Sequence, residues 1–342
     1  MKILITGGCG FVGSNIGIFL KKKMKIVDIC SLDNLARQGS IENLKRLKLN
    51  NIKNYKINIE YYEKIKKIKK FDLIIDCCAE PAIEFSKKDP DKVFNTNLIG
   101  TFNILKKSIK DKSNLIFLSS SRVYSISSLR KIINKNKISK PIKKREKISE
   151  NFDTSSVSSL YGYTKLSSEK LIKEIFFTYN LKYIINRFGV IAGPWQFGKQ
   201  DQGFVPLWVA KHFLKKKLSY IGFGGNGHQV RDIIHIDDVC DIVFKQIKNL
   251  NKISNKTFNI GGGSKNAISL RDLTLECQKL TGNKLKIKKI SKTSSYDIPY
   301  YVTDNHEVCK AYKWKPKRKL NEIINDIYMW LIENKFIWKY FK

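Results

Sequence analysis

Through the first half of the chain, short uninterrupted apolar runs alternate with stretches whose apolar residues recur every three or four positions. Lys2 to Thr6, Lys25 to Leu32, Asn54 to Ile59, Phe71 to Cys78, Asn114 to Leu118 and Leu181 to Asn186 read as strands. Helical spacing begins near Phe11, Ile41, Tyr61 and Pro90, and again over Leu160 to Tyr179. A strand that is apolar throughout must be covered on both faces, which is the condition of a parallel sheet with helices above and below. The pattern therefore predicts an α/β fold. In such sheets ligands lie beyond the carboxyl ends of the strands. The turn after Thr6, Asp33, Cys78-Ala79-Glu80 and Ser119-Ser120-Ser121 all fall there, so one cleft should collect them.

After Arg187 the alternation fades, and helices are expected at Phe204 to Lys216, Asp237 to Lys248, Ser269 to Thr281 and Leu320 to Glu333. This part reads as a smaller C-terminal lobe laid across the cleft. The division expected is residues 1–188 with 237–262 in the sheet unit, and 189–236 with 263–342 in the lobe. Residues 125–158 break the pattern: they are rich in Lys, Ser and Asn, with few apolar anchors beyond Ile132, Ile133 and Ile138. They read as an inserted surface loop, either a basic segment without fixed structure or a flap over a substrate.

The first strand breaks into Gly7-Gly8-Cys9-Gly10-Phe11-Val12-Gly13 and resumes at helical spacing. Strand, glycine turn and helix in that order suit a dinucleotide. Gly7 lets the chain turn, Gly10 lets the backbone approach a pyrophosphate, and Gly13 lets helix pack on strand, with the helix N-terminus facing the phosphates. Roughly twenty residues on, the second strand ends in Asp33-Asn34, where a carboxylate accepts hydrogen bonds from both ribose hydroxyls. A 2′-phosphate would meet Asp33, so NAD is expected over NADP. The sheet is thus predicted to be a doubly wound one of Rossmann type.

Tyr161 and Lys165 stand four positions apart in the predicted helix Leu160 to Tyr179, which stacks them on one face. An ammonium beside a phenol favours phenolate, so the tyrosine could take a proton from a sugar hydroxyl as hydride leaves the same carbon. The serines closing the strand before them place at least one hydroxyl near Tyr161. Serines are also ordinary turn residues. Asn97 lies inside a helix that otherwise looks buried, in a structural or cofactor-side role. Arg231 follows the flexible Gly224 to Gly227 and could bind a diphosphate through two parallel hydrogen bonds, or pair with Asp232 or Asp237. His228 and His235 read as loop and core residues.

Length and composition add limits. With 342 residues the chain can bury a large core. No apolar run approaches a membrane span, and Met1 to Ile5 is already a strand, not a leader, so a cytoplasmic protein is expected. Seven cysteines are scattered without a CxxC pair or histidines at ligand spacing, so no metal site is expected. Lys and Arg total 65 against 30 Asp and Glu, a net charge of +35. Alone that would suggest nucleic acid or an anionic surface. The lysines spread over the whole chain, as an AT-rich coding bias produces, so no nucleic-acid partner is expected and the field steers an anionic nucleotide substrate at most.

Taken together, Gly7-x-x-Gly10-x-x-Gly13, Asp33-Asn34-Leu35, Asn97-x-x-Gly100-Thr101, the serine strand, Tyr161-x-x-x-Lys165, Arg187 and Arg231-Asp232 resemble, in order and over nearly the whole length, the extended short-chain dehydrogenases/reductases. Within these the chain is most similar to the NAD-dependent nucleotide-sugar epimerases. The stretches 33–39, 196–205 and 225–232 and the long insert resemble the CDP-paratose 2-epimerase subgroup. The resemblance implies NAD as cofactor and a nucleotide-diphosphate sugar as substrate. Its catalytic hydroxyl falls on Ser120, counted back from Val123-Tyr124, with Ser121 as the alternative. Tyr161 becomes the base, and Lys165 lowers its pKa and binds the nicotinamide ribose. Cofactor contacts are implied at Gly7, Gly10, Phe11, Val12, Gly13, Asp33, Asn34, Asn58, Ile59, Cys78, Asn97, Tyr161, Lys165 and Val190, and substrate contacts at Ser120, Gln202 and Arg231. The chain departs from the family pattern at Asn58 (usually aspartate), Asp76 (often histidine), Gly189 (often asparagine or serine) and Pro299 (often a nucleotide-binding arginine).

The mechanism so implied oxidises one sugar carbon to a ketone, turns the sugar over and returns hydride to the opposite face, at C2 of a dideoxy sugar in the subgroup and at C4 more commonly in the family. A 4,6-dehydratase is the nearest rival, but such enzymes place Asp-Glu directly after the catalytic threonine, where this chain has Ser121-Arg122. From another class, a non-catalytic dinucleotide- or RNA-binding module is the alternative. Paired helices after Pro90 and Tyr161 could form a dimer through a four-helix bundle, as the resemblance implies, so a homo-oligomer is expected.

Overall fold

A computed structural model describes residues 1–82, 84–135, 146–199 and 202–341. Strands β1 (Lys2–Thr6), β2 (Asp28–Leu32), β3 (Lys53–Tyr55), β4 (Leu73–Asp76), β5 (Asn114–Ser120) and β6 (Tyr183–Phe188) follow one another through the first half. The chain then leaves the sheet for β7 (Val190–Ala192), β8 (Ser219–Ile221) and β9 (Val230–His235), returns for β10 (Lys256–Ile260), and leaves again through β11 (Ala267–Ser269), β12 (Lys288–Ile290) and β13 (Tyr300–Tyr301). The central sheet has seven strands in the order β10-β6-β5-β4-β1-β2-β3, every pair parallel. This is the expected α/β Rossmann-type architecture. The seventh strand, Lys256–Ile260, is a strand that the alternation of the first half did not announce.

Both faces of the sheet are sealed. Ile3, Ile5, Ile29, Ile75 and Ile116 pack into one cluster with the helices Phe11–Lys23 and Ile236–Asn249, while Leu4, Ile74, Leu115, Phe117 and Ile185 pack into another with Ile104, Ile172 and Phe176. Alternate residues of one strand thus serve opposite layers, which is why these strands read as continuous apolar runs. A third cluster, built on Val205, Trp208, Ile268, Leu273, Ile327 and Trp330, forms the core of the lobe.

Helix starts follow local chemistry. Asp89 accepts the Lys92 N–H at 2.9 Å ahead of Pro90, and Ser159 accepts the Gly162 N–H at 3.1 Å, fixing the first turn of the helix Leu160–Thr178. Between the helices Pro90–Phe94 and Gly100–Asp111 the chain widens into a π-helical turn, Asn95–Ile99.

The insert differs from the surface loop expected. Its first part is the helix Ile126–Lys135, whose Ile126, Leu129 and Ile132 are buried against Tyr300, Tyr301 and Val302. Three apolar residues at a spacing of three suffice for one buried stripe, even among lysines and serines. The other end is docked too: Ile148 is fully buried and its N–H donates to Val302 O at 2.8 Å. Residues 136–145, with Ile138, lie outside the described residues, as does the Ile133 side chain. Among the described residues no helix is long and apolar enough to cross a membrane.

Candidate active site

A cavity of about 1060 Å³ opens along the carboxyl ends of β1, β4, β5 and β6 and is closed from above by the lobe. Its floor at β1 is the glycine turn. Gly7 has φ +61°, and a Cβ there would stand 3.0 Å from Cys77 O. At Gly13 a Cβ would lie 2.5 Å from Gly7 O, so the helix Phe11–Lys23 rests directly on the turn. That helix has no side-chain cap at Gly10 and no acidic residue in its first turn. Its first N–H groups, which have no intrahelical acceptor, therefore face the cavity beside Gly10, Phe11, Val12 and Gly13. Unsatisfied donors at the positive end of a helix form an anion cradle.

Ser120 ends β5 and its Oγ accepts the Arg122 N–H at 3.1 Å, tightening the turn Ser121–Val123. Tyr161 stands in the first turn of its helix, 8 % exposed, with Ser120 and Lys165 on the same wall. Burial holds the phenol above its ordinary value, and the Ser120 hydroxyl, then Arg122 and Arg37, draw it back down. Lys165 lines the same cavity. It is 2 % exposed, its Nζ lies 4.1 Å from the centroid of the Phe117 ring, and it makes no hydrogen bond among the described residues. Burial lowers its pKa, and the carboxylate of Asp76 opposes that shift. The lysine shares the tyrosine's helix face, but the charge it answers to is Asp76 at the end of β4. Asp76 is fully buried; burial raises its pKa, and Lys165 opposes that shift, as do the hydroxyls of Thr6 and Thr101 and the Cys78 N–H, which donate to its carboxylate.

The far wall carries arginines. Arg231 donates to Val230 O at 2.8 Å and Ile298 O at 2.7 Å, and pairs with Asp297 at 3.3 Å. Burial pushes its guanidinium down to about 10, helped by repulsion from Arg122. Its carboxylate partner is thus Asp297, from a distant segment, and neither Asp232 nor Asp237. Asp232 instead accepts the Gly263 N–H, and Asp237 pairs with Arg318. Arg37 reaches across the mouth to Glu80 at 3.2 Å and to Gln202.

Of the residues singled out in the sequence, Gly7, Gly10, Phe11, Val12, Gly13, Ser120, Tyr161, Lys165, Val190, Gln202 and Arg231 line this cavity together. Asp33, Asn34, Asn58, Ile59, Cys78 and Asn97 do not. Asp33 accepts the N–H groups of Cys9 at 3.0 Å and Leu35 at 2.8 Å, holding the end of β2 against the glycine turn. Asn34 caps its own turn through Ala36 N, Asn58 does so through Glu60 N, and Ile59 is buried beneath Gly100. Cys78 gives its N–H to Asp76. Asn97 is fully buried in the π-helical turn, with its amide bound to Glu80 N at 2.7 Å, Glu80 O at 3.1 Å and Thr164 Oγ1 at 3.2 Å. Its amide is committed to the protein and locks the Glu80 loop to the tyrosine helix. His228 is exposed and His235 is a buried helix cap, as read.

Sequence reasoning gave no role to Arg122 or Asp297, and it placed Glu80 at the cleft without foreseeing its pairing with Arg37. It also missed Glu169, buried and bound to Arg187 at 2.7 Å and Ser119 at 2.5 Å, which ties β5, β6 and the tyrosine helix together. The available signal was a carboxylate two turns after Tyr161, on a helix whose other polar residues are mostly Lys and Ser.

The fold is shared with solved nucleotide-sugar epimerases. UDP-glucose 4-epimerase of Thermotoga maritima, solved with UDP-glucose, superposes with a TM-score of 0.82 at 24% identity, covering 98% of this chain and 100% of that one. UDP-glucose 4-epimerase of Thermus thermophilus, solved in complex with NAD, gives 0.80 at 20% identity over 97% and 99%. In sequence, CDP-paratose 2-epimerase of Salmonella typhi is 28% identical over 342 residues, covering 96% of this chain and 99% of the relative. The family described as the NAD dependent epimerase/dehydratase family matches residues 3–261, from the first strand through the seventh. A match that runs from the glycine turn past Ser120, Tyr161 and Lys165 to the closing strand of the sheet makes this chain a member of the NAD-dependent epimerase/dehydratase family, with NAD as its cofactor.

Proposed function

We propose that the protein is a nucleotide-sugar epimerase of the CDP-paratose 2-epimerase type, acting by transient oxidation to a keto sugar. The observation that carries this reading is the convergence of Ser120 and Tyr161 with the open glycine turn in one cavity that also holds Arg231. Similarity to CDP-paratose 2-epimerase over nearly the full length of both chains supports the choice of substrate.

The residues present fit NAD. The uncapped helix N-terminus, and the glycines that let the helix rest directly on the turn, suit the pyrophosphate. Asp33, with a lone pair free on each oxygen beyond its backbone bonds, suits the ribose hydroxyls. Asn34, Asn58, Ile59 and Cys78 continue along the strand ends toward the adenine side. When bound, the nicotinamide supplies a reversible hydride acceptor. The sheet unit, 1–188 with 237–262, holds the dinucleotide, and 189–236 with 263–342 holds the nucleotide sugar.

Tyr161 takes the proton from the sugar hydroxyl and later returns one, Ser120 hydrogen-bonds the same oxygen, and Lys165 binds the nicotinamide ribose. Arg231 and Gln202 hold the substrate, Arg231 at the diphosphate. UDP-sugar 4-epimerisation is the alternative on the same machinery. Dehydration is disfavoured because the leaving hydroxyl needs an acid, and a guanidinium, which stays charged, stands two residues past Ser120.

The test is incubation of the purified protein with CDP-, UDP- and dTDP-sugars in ordinary and deuterated water. Inversion without solvent deuterium at carbon is expected, with a loss of about 10²-fold or more in Tyr161→Phe. Deuterium incorporation at the inverted carbon, or full activity in Tyr161→Phe, would sink the reading.

A further inference from the structure

Two arginines whose backbones stand in different sheets end on one short segment. Arg122, in the turn after β5, donates from Nη1 to Tyr296 O at 3.2 Å. Arg231, on β9, donates from Nη2 to Ile298 O at 2.7 Å and to Asp297 Oδ1 at 3.3 Å. Both side chains line the cavity, as do Asp297 and Ile298. Among the described residues, Asp297 is the only carboxylate within ion-pair distance of either guanidinium, so two positive charges meet one negative charge. A cation surplus in a largely buried wall is unfavourable until an anion joins it. Burial, and then repulsion from Arg122, holds Arg231 down to about 10, as such crowding requires. Arg37, the other arginine of the cavity, is engaged by Glu80 and Gln202 at the mouth and adds nothing here.

We propose that Arg122 is a second prong beside Arg231 in a clamp for the substrate's diphosphate, and that it grips the phosphate esterified to the sugar. This rests on the reading of the substrate as a nucleotide-diphosphate sugar. The register comes from where each end of Arg122 is fixed. Its N–H donates to Ser120 Oγ at 3.1 Å, so the residue starts beside the hydroxyl assigned to the reacting sugar oxygen. Its guanidinium ends at Tyr296 O, two residues before the carbonyl that holds Arg231, the residue assigned to the diphosphate. The phosphate lying between those two points is the one next to the sugar. Donor supply favours the same division: of a guanidinium's five N–H groups, Arg231 commits three to the protein and Arg122 one. Arg122 therefore keeps a full edge of parallel donors, which matches two oxygens of one phosphate. The negative charge of that phosphate offsets the surplus left by Asp297.

The experiment measures binding of CDP, UDP, CMP and UMP to the NAD-loaded protein by titration calorimetry, which needs no turnover. Arg122→Met should weaken the diphosphates about tenfold or more and the monophosphates far less, because the second phosphate is the one it holds. Arg122→Lys should recover only part of the loss, since an ammonium keeps the charge without the parallel donors. Combined with Arg231→Met, the two losses should fall short of adding, as expected for prongs on one ligand. If Arg122→Met does not fold, Arg122→Gln keeps a donor for Tyr296 O and serves in its place. Unchanged diphosphate affinity, or an equal loss for mono- and diphosphates, overturns the proposal. A loss seen with nucleotide sugars and not with CDP or UDP also overturns it, by placing the guanidinium on the sugar. Diphosphate binding that depends on Arg122, in a protein that epimerises no nucleotide sugar, would leave this inference standing and remove the epimerase reading; turnover with an unchanged KM in Arg122→Met would do the reverse.

Discussion

Gly162 has no side chain, yet a Cβ there would overlap the Arg122 carbonyl oxygen and stand 2.8 Å from Ser158 Oγ. The turn that carries Ser120 and the helix that carries Tyr161 can approach each other only at a residue with nothing to insert between them. Gly162→Ala should therefore cost about 1–3 kcal/mol of stability by overpacking and lower turnover far more than the loss of folded protein explains, because Tyr161 moves relative to Ser120. Thermal unfolding alongside kcat checks both; a variant with wild-type turnover would show that the contact does not position Tyr161. At this scale the sequence was legible wherever chemistry follows local spacing. Tyr161 and Lys165 had to share a face four residues apart, and Gly7, Gly10 and Gly13 had to form a turn. What spacing could not reveal was which charge faces which. The Asp76 that meets Lys165 and the Asp297 that meets Arg231 arrive from 89 and 66 residues away, through the tertiary fold.

Among the elements, the insert changes most between sequence and structure. Its helix Ile126–Lys135 works through Arg130, which donates to the carbonyl oxygens of Ser294, Ser295 and Asp297 at 2.9–3.3 Å. Those residues belong to the segment that carries Asp297 to Arg231. The insert thus reaches the cavity indirectly, by fixing the backbone of residues that line it. Arg130→Met should raise KM for the nucleotide sugar several-fold with kcat nearly unchanged and the melting temperature little altered, as measured by steady-state kinetics and calorimetry; an unchanged KM would place the segment outside the binding site. The helix was missed because an apolar stripe of Ile126, Leu129 and Ile132 is short and sits in a lysine- and serine-rich context. The central strands were legible for the opposite reason: burial on both faces leaves no polar alternation to confuse. Strand ends were less so, since Lys25–Leu32 shortens to Asp28–Leu32, and the small lobe strands carry too few residues to show a period.

For the whole molecule, the lysines behind the net charge of +35 are spread along the entire sequence, and together they make a positive field. Large apolar side chains nonetheless stay exposed along the helices after Pro90 and Tyr161: Phe102 at 39 %, Tyr163 at 58 % and Phe177 at 87 %. A homodimer that covers these helices is the expected assembly, and Phe102→Asp combined with Phe177→Asp should halve the sedimenting mass; a wild-type protein that sediments as a monomer defeats the expectation. Strand order also matters for biogenesis. The outermost strand on the β6 side, Lys256–Ile260, is made only after most of the first lobe excursion. While the ribosome is still making residues 189–255, the hydrogen-bonding edge of β6 is bare, so a nascent chain arrested there presents a sticky ribbon to its neighbours and is a natural client for chaperones.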